Sequence, residues 1–191
     1  MFYLTFNDEI GIETLNDVNG NPYTYRTNVG NSVHKGIESY IEISPFKIFG
    51  NKSKFGNLSF FNSYAYILAQ YVDGPFKGNR EEMAPRNIDR LGINYSFNRY
   101  VSTTFLISNS SESYADANNT VSSDDAIVGL IPAYQVMDWS TTVKIKKCTV
   151  KFGVSNLADT KYFNLRTDEY PGPGIIPAQG RSIYVGFGAK F

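Results

Sequence analysis

The residues best suited to bind a ligand lie in a loop near the end of the chain. It carries four polar side chains that can donate hydrogen bonds: Arg166, Tyr170, Gln179 and Arg181. Guanidinium groups bind carboxylates through two parallel hydrogen bonds, so the loop suits an anionic ligand rich in carboxylates. The alternative is that both arginines pair with Asp168 and Glu169 in the same loop, as surface charges usually do.

A second group of arginines flanks an earlier loop, with Arg80 and Arg86 as its main members and Arg90 just beyond. Together they could line a positively charged entrance that attracts an anion. The alternative is an ordinary solvated loop in which Glu81 and Glu82 neutralise them.

Other chemistries find little support in the sequence. The single histidine, His34, excludes a His-rich metal site and is expected to pair with a polar neighbour such as Glu38. A Ser-His-Asp triad would depend on that one histidine, and no nucleophile-elbow pattern accompanies it. The acidic loop with Asp116 and Asp124 lacks EF-hand spacing. We therefore expect no enzyme, no cofactor and no metal site.

The elements that must position the two basic loops are strands. In the closing segment, Arg181 to Phe191, one face carries apolar side chains at every second position: Ile183, Val185, Phe187, Ala189 and Phe191. Alternation of this kind predicts a strand with one apolar face. About 9–11 residues also suffice for a strand that crosses a membrane. The alternative is the last edge strand of a soluble sandwich.

Eight segments show strand-like alternation. They are Phe2–Ile12, Tyr23–Ser44, Leu58–Val72, Asn87–Phe97, Tyr100–Ser108, Ala133–Ile145, Cys148–Asn156 and Arg181–Phe191. The connections after the first strand are expected to run long, medium, long, short, long, short, long. Long loops would thus gather at one end of an antiparallel meander, as in outer-membrane barrels. No segment has a helical period, and no linker divides the chain.

The composition agrees with a β-protein at a membrane. Aromatic residues make up 15% of the 191 residues, which suits strands and interfacial aromatic girdles. The 18 basic and 18 acidic side chains cancel, so nucleic acid is not expected as a partner. No apolar run is long enough for a transmembrane helix. One cysteine, Cys148, excludes an internal disulfide.

Several local patterns, taken in order, resemble one family. They are Asn28–Glu38, Ser113–Thr120, Ile131–Tyr134, Val154–Tyr162, Tyr170–Gly174, and Gly180-Arg181 leading to Phe191. In this order they resemble the C-terminal part of TonB-dependent outer-membrane receptors, and most of all the branch that takes up ferric citrate. Each pattern is weak by itself, but their ordered succession covers nearly the whole chain.

The resemblance implies an all-β fold: about eight meander strands of a plugged barrel of about 22 strands. Residues 1–191 would be the C-terminal part of that barrel, without its plug domain or signal peptide. The implied location is the outer membrane of a Gram-negative bacterium. The implied partners are outer-membrane lipid, a ferric chelate, the barrel assembly machinery, and the TonB energy-transducing system acting through the plug.

Two other architectures are compatible with the same alternation. The first is an autonomous eight-stranded barrel with a structural or binding role, although bulky residues such as Tyr40, Phe61, Tyr71 and Tyr184 would crowd its narrow bore. The second is a soluble β-sandwich, which needs a second sheet packed on one face. In the fragment interpretation, by contrast, the first and last strands do not pair, and the sheet stays open.

Overall fold

The computed structural model describes residues 1–48, 56–124, 126–167, 170 and 172–190. Within them the strands are β1 (Phe2–Asn16), β2 (Pro22–Ile43), β3 (Asn57–Tyr71), β4 (Asn87–Phe97), β5 (Val101–Ser110), β6 (Ser113–Tyr114), β7 (Leu130–Ile131), β8 (Tyr134–Ile145), β9 (Cys148–Ser155), β10 (Phe163–Thr167), β11 (Gly174–Pro177) and β12 (Ser182–Ala189). A one-turn helix, α1 (Pro45–Ile48), follows β2. No helix in these parts of the chain is long and apolar enough to span a membrane.

Eight strands form one antiparallel sheet in the order β1-β2-β3-β4-β5-β8-β9-β12. The predicted meander of eight strands is therefore confirmed, with sequential neighbours throughout. The sequence missed two small hairpins, β6–β7 and β10–β11, which lie within the long connections. Their strands are two to five residues long, too short for alternation to be visible.

The first connection differs from the expectation of a long loop. β1 continues to Asn16, and residues 17–21 close a tight turn in which the Asp17 carboxylate accepts 2.8 Å hydrogen bonds from the backbone N–H groups of Asn19 and Asn21. β3 pairs with β2 only from Ser32 onward. The β1–β2 hairpin therefore projects well beyond the rim of the sheet.

The register gives the sheet one apolar and one polar face. Residues directly opposite each other lie on the same face, and Ile183 faces Val154, Val185 faces Phe152, and Phe187 faces Val150. The apolar face continues across the sheet through Trp139, Phe105, Ile93 and Phe60. The opposite face carries Glu42, Arg90, Asp138, Lys144 and Lys151.

The apolar face is uncovered by protein. Ile183, Val185 and Phe187 are 65%, 70% and 73% exposed, and no second sheet packs on them within the described ranges. An apolar layer of this kind is typical of a barrel wall that faces lipid. The soluble sandwich is therefore wrong. The fourth residue assigned to this face, Phe191, lies outside the described residues.

Two edges of the sheet remain open. β1 pairs with β2 alone and β12 with β9 alone, so Leu4 and Val185 are not on neighbouring strands. The closed eight-stranded barrel is therefore wrong, and the open sheet expected for a barrel segment is confirmed.

Large aromatic side chains on the polar face lie flat against the sheet. The Phe61 ring occupies the space where Gly92 would carry a Cβ atom, and the Tyr184 ring does the same above Gly153. Each ring thus packs on a neighbouring backbone instead of standing upright. The crowding predicted for these side chains applied to the narrow bore of a closed eight-stranded barrel, which this open sheet does not form.

The face assignment can be tested on two adjacent residues of β12. Val185→Arg places a charge on the apolar face, which costs about 2–4 kcal/mol at the middle of a bilayer. Gly186→Ser is the matched control, because an added Cβ there meets the Lys151 side chain at an ordinary 3.7 Å. Membrane integration is measured by resistance to alkaline extraction. It should fall sharply for Val185→Arg and stay unchanged for Gly186→Ser. Equal integration of both variants would contradict the assignment.

Candidate functional site

The long connections meet at one end of the sheet. Residues 72–86, 111–133 and 156–181 join strands there, together with the projecting β1–β2 hairpin. The opposite end has the short turns at 98–100 and 146–147. Following the usual orientation of outer-membrane barrels, we call the long-loop end the outer mouth.

A small buried cluster holds the outer mouth together. It consists of Val29, Tyr71, Phe76 and Ala117, which are 1%, 3%, 6% and 9% exposed. These residues come from β2, β3, the 72–86 loop and the 111–133 loop. The Tyr71 and Phe76 rings lie with their centroids 5.7 Å apart. Burial of apolar surface therefore fixes the two loops against the hairpin.

Polar contacts fix the same loops to each other. The Asn119 side chain accepts a hydrogen bond from the Arg80 backbone N–H and donates one to its carbonyl, both 2.7 Å long. Asn79 donates to the Ala117 carbonyl at 2.8 Å. These contacts imitate strand pairing between two loops and give both a defined backbone position.

The hairpin is joined to the 72–86 loop through Asp73. The Asn31 amide donates to the Asp73 carboxylate at 2.6 Å, and the Val72 N–H donates to the Asn31 carbonyl at 2.8 Å. Gly30, with φ of 118°, lies so close to Asp73 that an added Cβ would collide with its backbone oxygen. This close approach requires glycine at position 30.

Asp116 organises the next loop instead of offering a free carboxylate. Its oxygens accept hydrogen bonds from the Asn118 N–H, the Thr120 hydroxyl and the Gly129 N–H at 3.1, 2.9 and 3.2 Å. Asp124 is exposed, and Asp125 lies outside the described residues.

A cavity of about 610 Å³ lies among these loops. Its walls come from both strands of the hairpin, the 72–86 loop, the 111–133 loop and β10. Its charged lining residues are Arg26, Glu82, Asp116 and Arg166. Its apolar lining includes Ile10, Ile12 and Phe76. A concave site with an apolar floor and a few convergent charges is the usual form of a ligand pocket.

Arg166 lines the cavity but also supports its wall. The guanidinium donates to the Ala126 carbonyl at 2.7 Å and to the Leu130 carbonyl at 3.3 Å. It also lies 5.1 Å from the centre of the Phe163 ring. Its buried Nε has no hydrogen-bond partner among the described residues, so one donor of the fork is unused.

Arg26 is the cavity cation that sequence reasoning missed. It lies opposite Ile12 in the projecting hairpin, and its exposed guanidinium makes no hydrogen bond or ion pair with the described residues. Glu82 accepts a 2.8 Å hydrogen bond from the Tyr71 hydroxyl. The sequence suggested Glu82 only as a partner for neighbouring arginines. Alternation placed Arg26 on a strand but could not show that the strand projects beside the loops.

The structure places Arg80 and Arg86 away from the cavity lining. Arg80 donates to the Ala84 and Glu112 carbonyls at 3.3 and 3.2 Å, and its guanidinium lies 5.2 Å from the Tyr114 ring centre. Arg80 therefore ties loops together. Arg86 is exposed, and its carbonyl accepts the Ile67 N–H.

The remaining three predicted ligand contacts are exposed and spread along the last loop. Tyr170 is 97% exposed, and Gln179 and Arg181 are also exposed. The Arg181 N–H donates to Asp159 at 3.0 Å, and this hydrogen bond, with the Lys161 ammonium, lowers the pKa of the Asp159 carboxyl. The partners suggested for Arg166 and Arg181, Asp168 and Glu169, lie outside the described residues.

Comparison with known proteins places these observations in a family. Residues 1–157 match the family described as TonB dependent receptor-like, β-barrel. Among curated proteins, none matches this chain in sequence.

Solved structures agree with the family match. The unliganded ferric citrate transporter FecA is 25% identical with a TM-score of 0.71, covering 81% of this chain and 24% of that one. The ferric yersiniabactin uptake receptor FyuA from Yersinia pestis is 18% identical with a TM-score of 0.65, covering 85% and 24%. The ferric enterobactin receptor PfeA from Pseudomonas aeruginosa is 16% identical with a TM-score of 0.66, covering 99% and 28%. The chain thus spans about a quarter of the length of each.

The cluster under the cavity can be tested by removing its aromatic centre. Phe76→Ala should cost about 3–5 kcal/mol of local stability, because a large buried side chain is lost. Hydrogen exchange should accelerate in residues 72–86 and 111–133 and stay unchanged in β4 and β5. Val121→Ala is the control, since Val121 is 65% exposed in the same part of the chain. Slow exchange in both loops of the Phe76 variant would contradict this role.

Proposed function

Since this chain belongs to the TonB dependent receptor-like β-barrel family, we propose that its eight strands form part of the wall of a receptor that imports a ferric chelate. The observation that carries the proposal is the single-layer sheet with one apolar face, two open edges and a loop-built cavity at one end. Further strands would complete the barrel. This segment would form its C-terminal third.

The open edges support this role through elementary energetics. Each unpaired backbone N–H or C=O group in hydrocarbon costs several kcal/mol, so spanning sheets must close. β1 and β12 each offer one unpaired side. In the proposed receptor both sides pair with neighbouring strands of the same barrel in the outer membrane of a Gram-negative bacterium, after insertion by the barrel assembly machinery.

The cavity supports a ligand that carries negative charge. Arg26 presents an unengaged guanidinium, and Arg166 presents one unused buried donor. Both carboxylates of the lining are engaged by the protein: Asp116 accepts hydrogen bonds from its own loop, and Glu82 accepts one from the Tyr71 hydroxyl. An anionic ferric chelate of the citrate type would therefore find cationic donors that the protein itself does not satisfy. Arg181, Gln179 and Tyr170 would contribute from the neighbouring loop, and Arg80 and Arg86 would contribute positive potential.

Energy for import would come from TonB through a plug domain seated inside the completed barrel. The polar face, with Asp138, Lys144 and Lys151, would line that lumen. The 25% identity to a ferric citrate transporter supports citrate as the first chelate to test.

The ligand site can be tested with a matched pair of arginine variants. Outer membranes from cells that carry the gene are incubated with radioactive ferric citrate, with a ferric catecholate in parallel. Arg26→Gln should weaken binding about 10- to 100-fold, since a hydrogen bond to a charged group contributes about 1.5–3 kcal/mol. Arg99→Gln should bind as the wild type does, because Arg99 lies in the turn at the far end of the sheet, 5.4 Å from the Tyr100 ring.

The outcomes separate the parts of the proposal. Absence of binding of either chelate by wild-type membranes would contradict the receptor function. Saturable binding that Arg26→Gln leaves unchanged would contradict the cavity as the ligand site. Binding of the catecholate in preference to citrate would contradict the citrate assignment.

A further inference from the structure

A second group of side chains with ligand chemistry lies outside the cavity. Glu9 of β1, His34 of β2 and Glu81 of the 72–86 loop lie together, and each offers one atom that can bind a metal ion. All three donor atoms lie within 4.8 Å of one another. The sequence expected His34 to pair with a near neighbour such as Glu38, but its Nε2 contacts the carboxylate of Glu81 instead. Folding of the loop over the hairpin brings these residues together across 47 positions of sequence.

A β-bulge aims Glu9 into this group. The β1–β2 register shifts on both sides of Glu9, and Asp8 takes a positive φ of 56°. Asp8 is turned to the hairpin itself, where its N–H donates to Asn31 at 2.9 Å and its carboxylate accepts from Asn28 at 2.8 Å. Bulges redirect side chains in this way.

The imidazole and the loop carboxylate are both held in place. The Phe6 ring packs on the His34 ring with centroids 4.7 Å apart. The Glu81 N–H donates to the Ala69 carbonyl at 3.1 Å, which fixes the loop beside β3. The side chains of His34 and Glu81 are each 22% exposed, so the group is shielded but open to a small solute.

A buried hydroxyl beside the group is unused. Ser32 is 0% exposed, lies on the same face as His34, and has no hydrogen-bond partner among the described residues. It lies near the Glu9 carboxylate, outside hydrogen-bond geometry. A fully buried polar atom without a partner costs about 1–3 kcal/mol, so such a site commonly serves a ligand or ordered water.

The electrostatics favour a cation at this point. Glu9 pairs with Gly30, beyond the last β2–β3 pair, so it lies in the projecting hairpin outside the membrane-spanning part. The carboxylates of Glu9 and Glu81 lie close together, with Glu82 nearby, and like charges at such distances repel each other. A divalent ion bound here would neutralise the carboxylates of Glu9 and Glu81.

We propose that Glu9, His34 and Glu81 bind one divalent metal ion of the Zn²⁺ type that carries no chelate. The ion connects the 72–86 loop to the β1–β2 hairpin. Zn²⁺ prefers imidazole nitrogen and carboxylate oxygen at about 2.0–2.2 Å, and three protein ligands leave one position for water. Ligand atoms around such an ion are about 3.4 Å apart, so the three side chains would adjust to that spacing, with His34 and Glu81 moving slightly apart. A water in that position would offer the buried Ser32 hydroxyl a hydrogen-bond partner.

This site is separate from ligand import, because it needs no chelate and lies outside the cavity lining. One ion that joins β1, β2 and the 72–86 loop would make the outer mouth more rigid.

The test uses protein purified from outer membranes in detergent, stripped with chelator and titrated with ZnCl₂ against a zinc indicator. We expect about one saturable ion per chain, with His34→Gln and Glu81→Gln each weakening binding at least tenfold. Glu38→Gln is the matched control: it removes the same charge from the same face of β2 and should leave binding unchanged. Heat-modifiable gel migration shows that each variant is folded.

Two results would overturn the proposal. One is no saturable zinc binding by the folded wild type, which would make the His34–Glu81 contact an ion pair and nothing more. The other is equal zinc affinity in the wild type, His34→Gln and Glu81→Gln. Co²⁺ provides a second measurement on the wild type. A four-coordinate site of nitrogen and oxygen ligands absorbs visible light more strongly than six-coordinate aqueous Co²⁺ does. We therefore expect visible absorption to increase when Co²⁺ binds.

Discussion

The structure depends on the pairing of backbone N–H and C=O groups where no water is available. In hydrocarbon an unpaired group costs several kcal/mol, so a spanning sheet is stable only when each strand has two neighbours. Six of the eight strands in the sheet meet this condition through the chain itself, and β1 and β12 do not. In the proposed receptor, completion of the barrel by further strands would therefore be an energetic requirement.

The two parts of the protein are stabilised by different interactions. The apolar side chains of the sheet, such as Val185 and Phe187, are exposed, and in the proposed receptor lipid would cover them. The outer mouth instead resembles a soluble domain, with a buried cluster around Val29 and Phe76 and a dense set of loop-to-loop hydrogen bonds. The two parts are joined where the strands enter the loops, for example through the hydrogen bonds from the Glu81 N–H to the Ala69 carbonyl and from the Ile67 N–H to the Arg86 carbonyl.

The sequence was most informative where one physical rule acts residue by residue. β4 was predicted at Asn87–Phe97 and is found there, because alternation over eleven residues and the tight turn after Phe97 left little freedom. The apolar positions Ile183, Val185 and Phe187 likewise share one face. Prediction was weaker for the loops. Arg166 reaches the cavity as part of a hairpin that alternation could not reveal, while Arg80 has become a structural tie between loops.

By itself the sequence determined the eight strands of the main sheet, their order and the apolar face of strands such as β12, since alternation acts locally and needs no knowledge of distant residues. Tertiary structure alone decided which loops meet, that Arg26 joins Arg166 at one cavity, and that His34 faces Glu81 and Glu9 instead of Glu38. These contacts depend on the projection of the β1–β2 hairpin past the rim and on the bulge at Glu9. The bulge is accompanied by hydrogen bonds between Asp8 and the side chains of Asn28 and Asn31, and Glu81 lies 47 positions from His34, so no periodic pattern in the sequence records these partners.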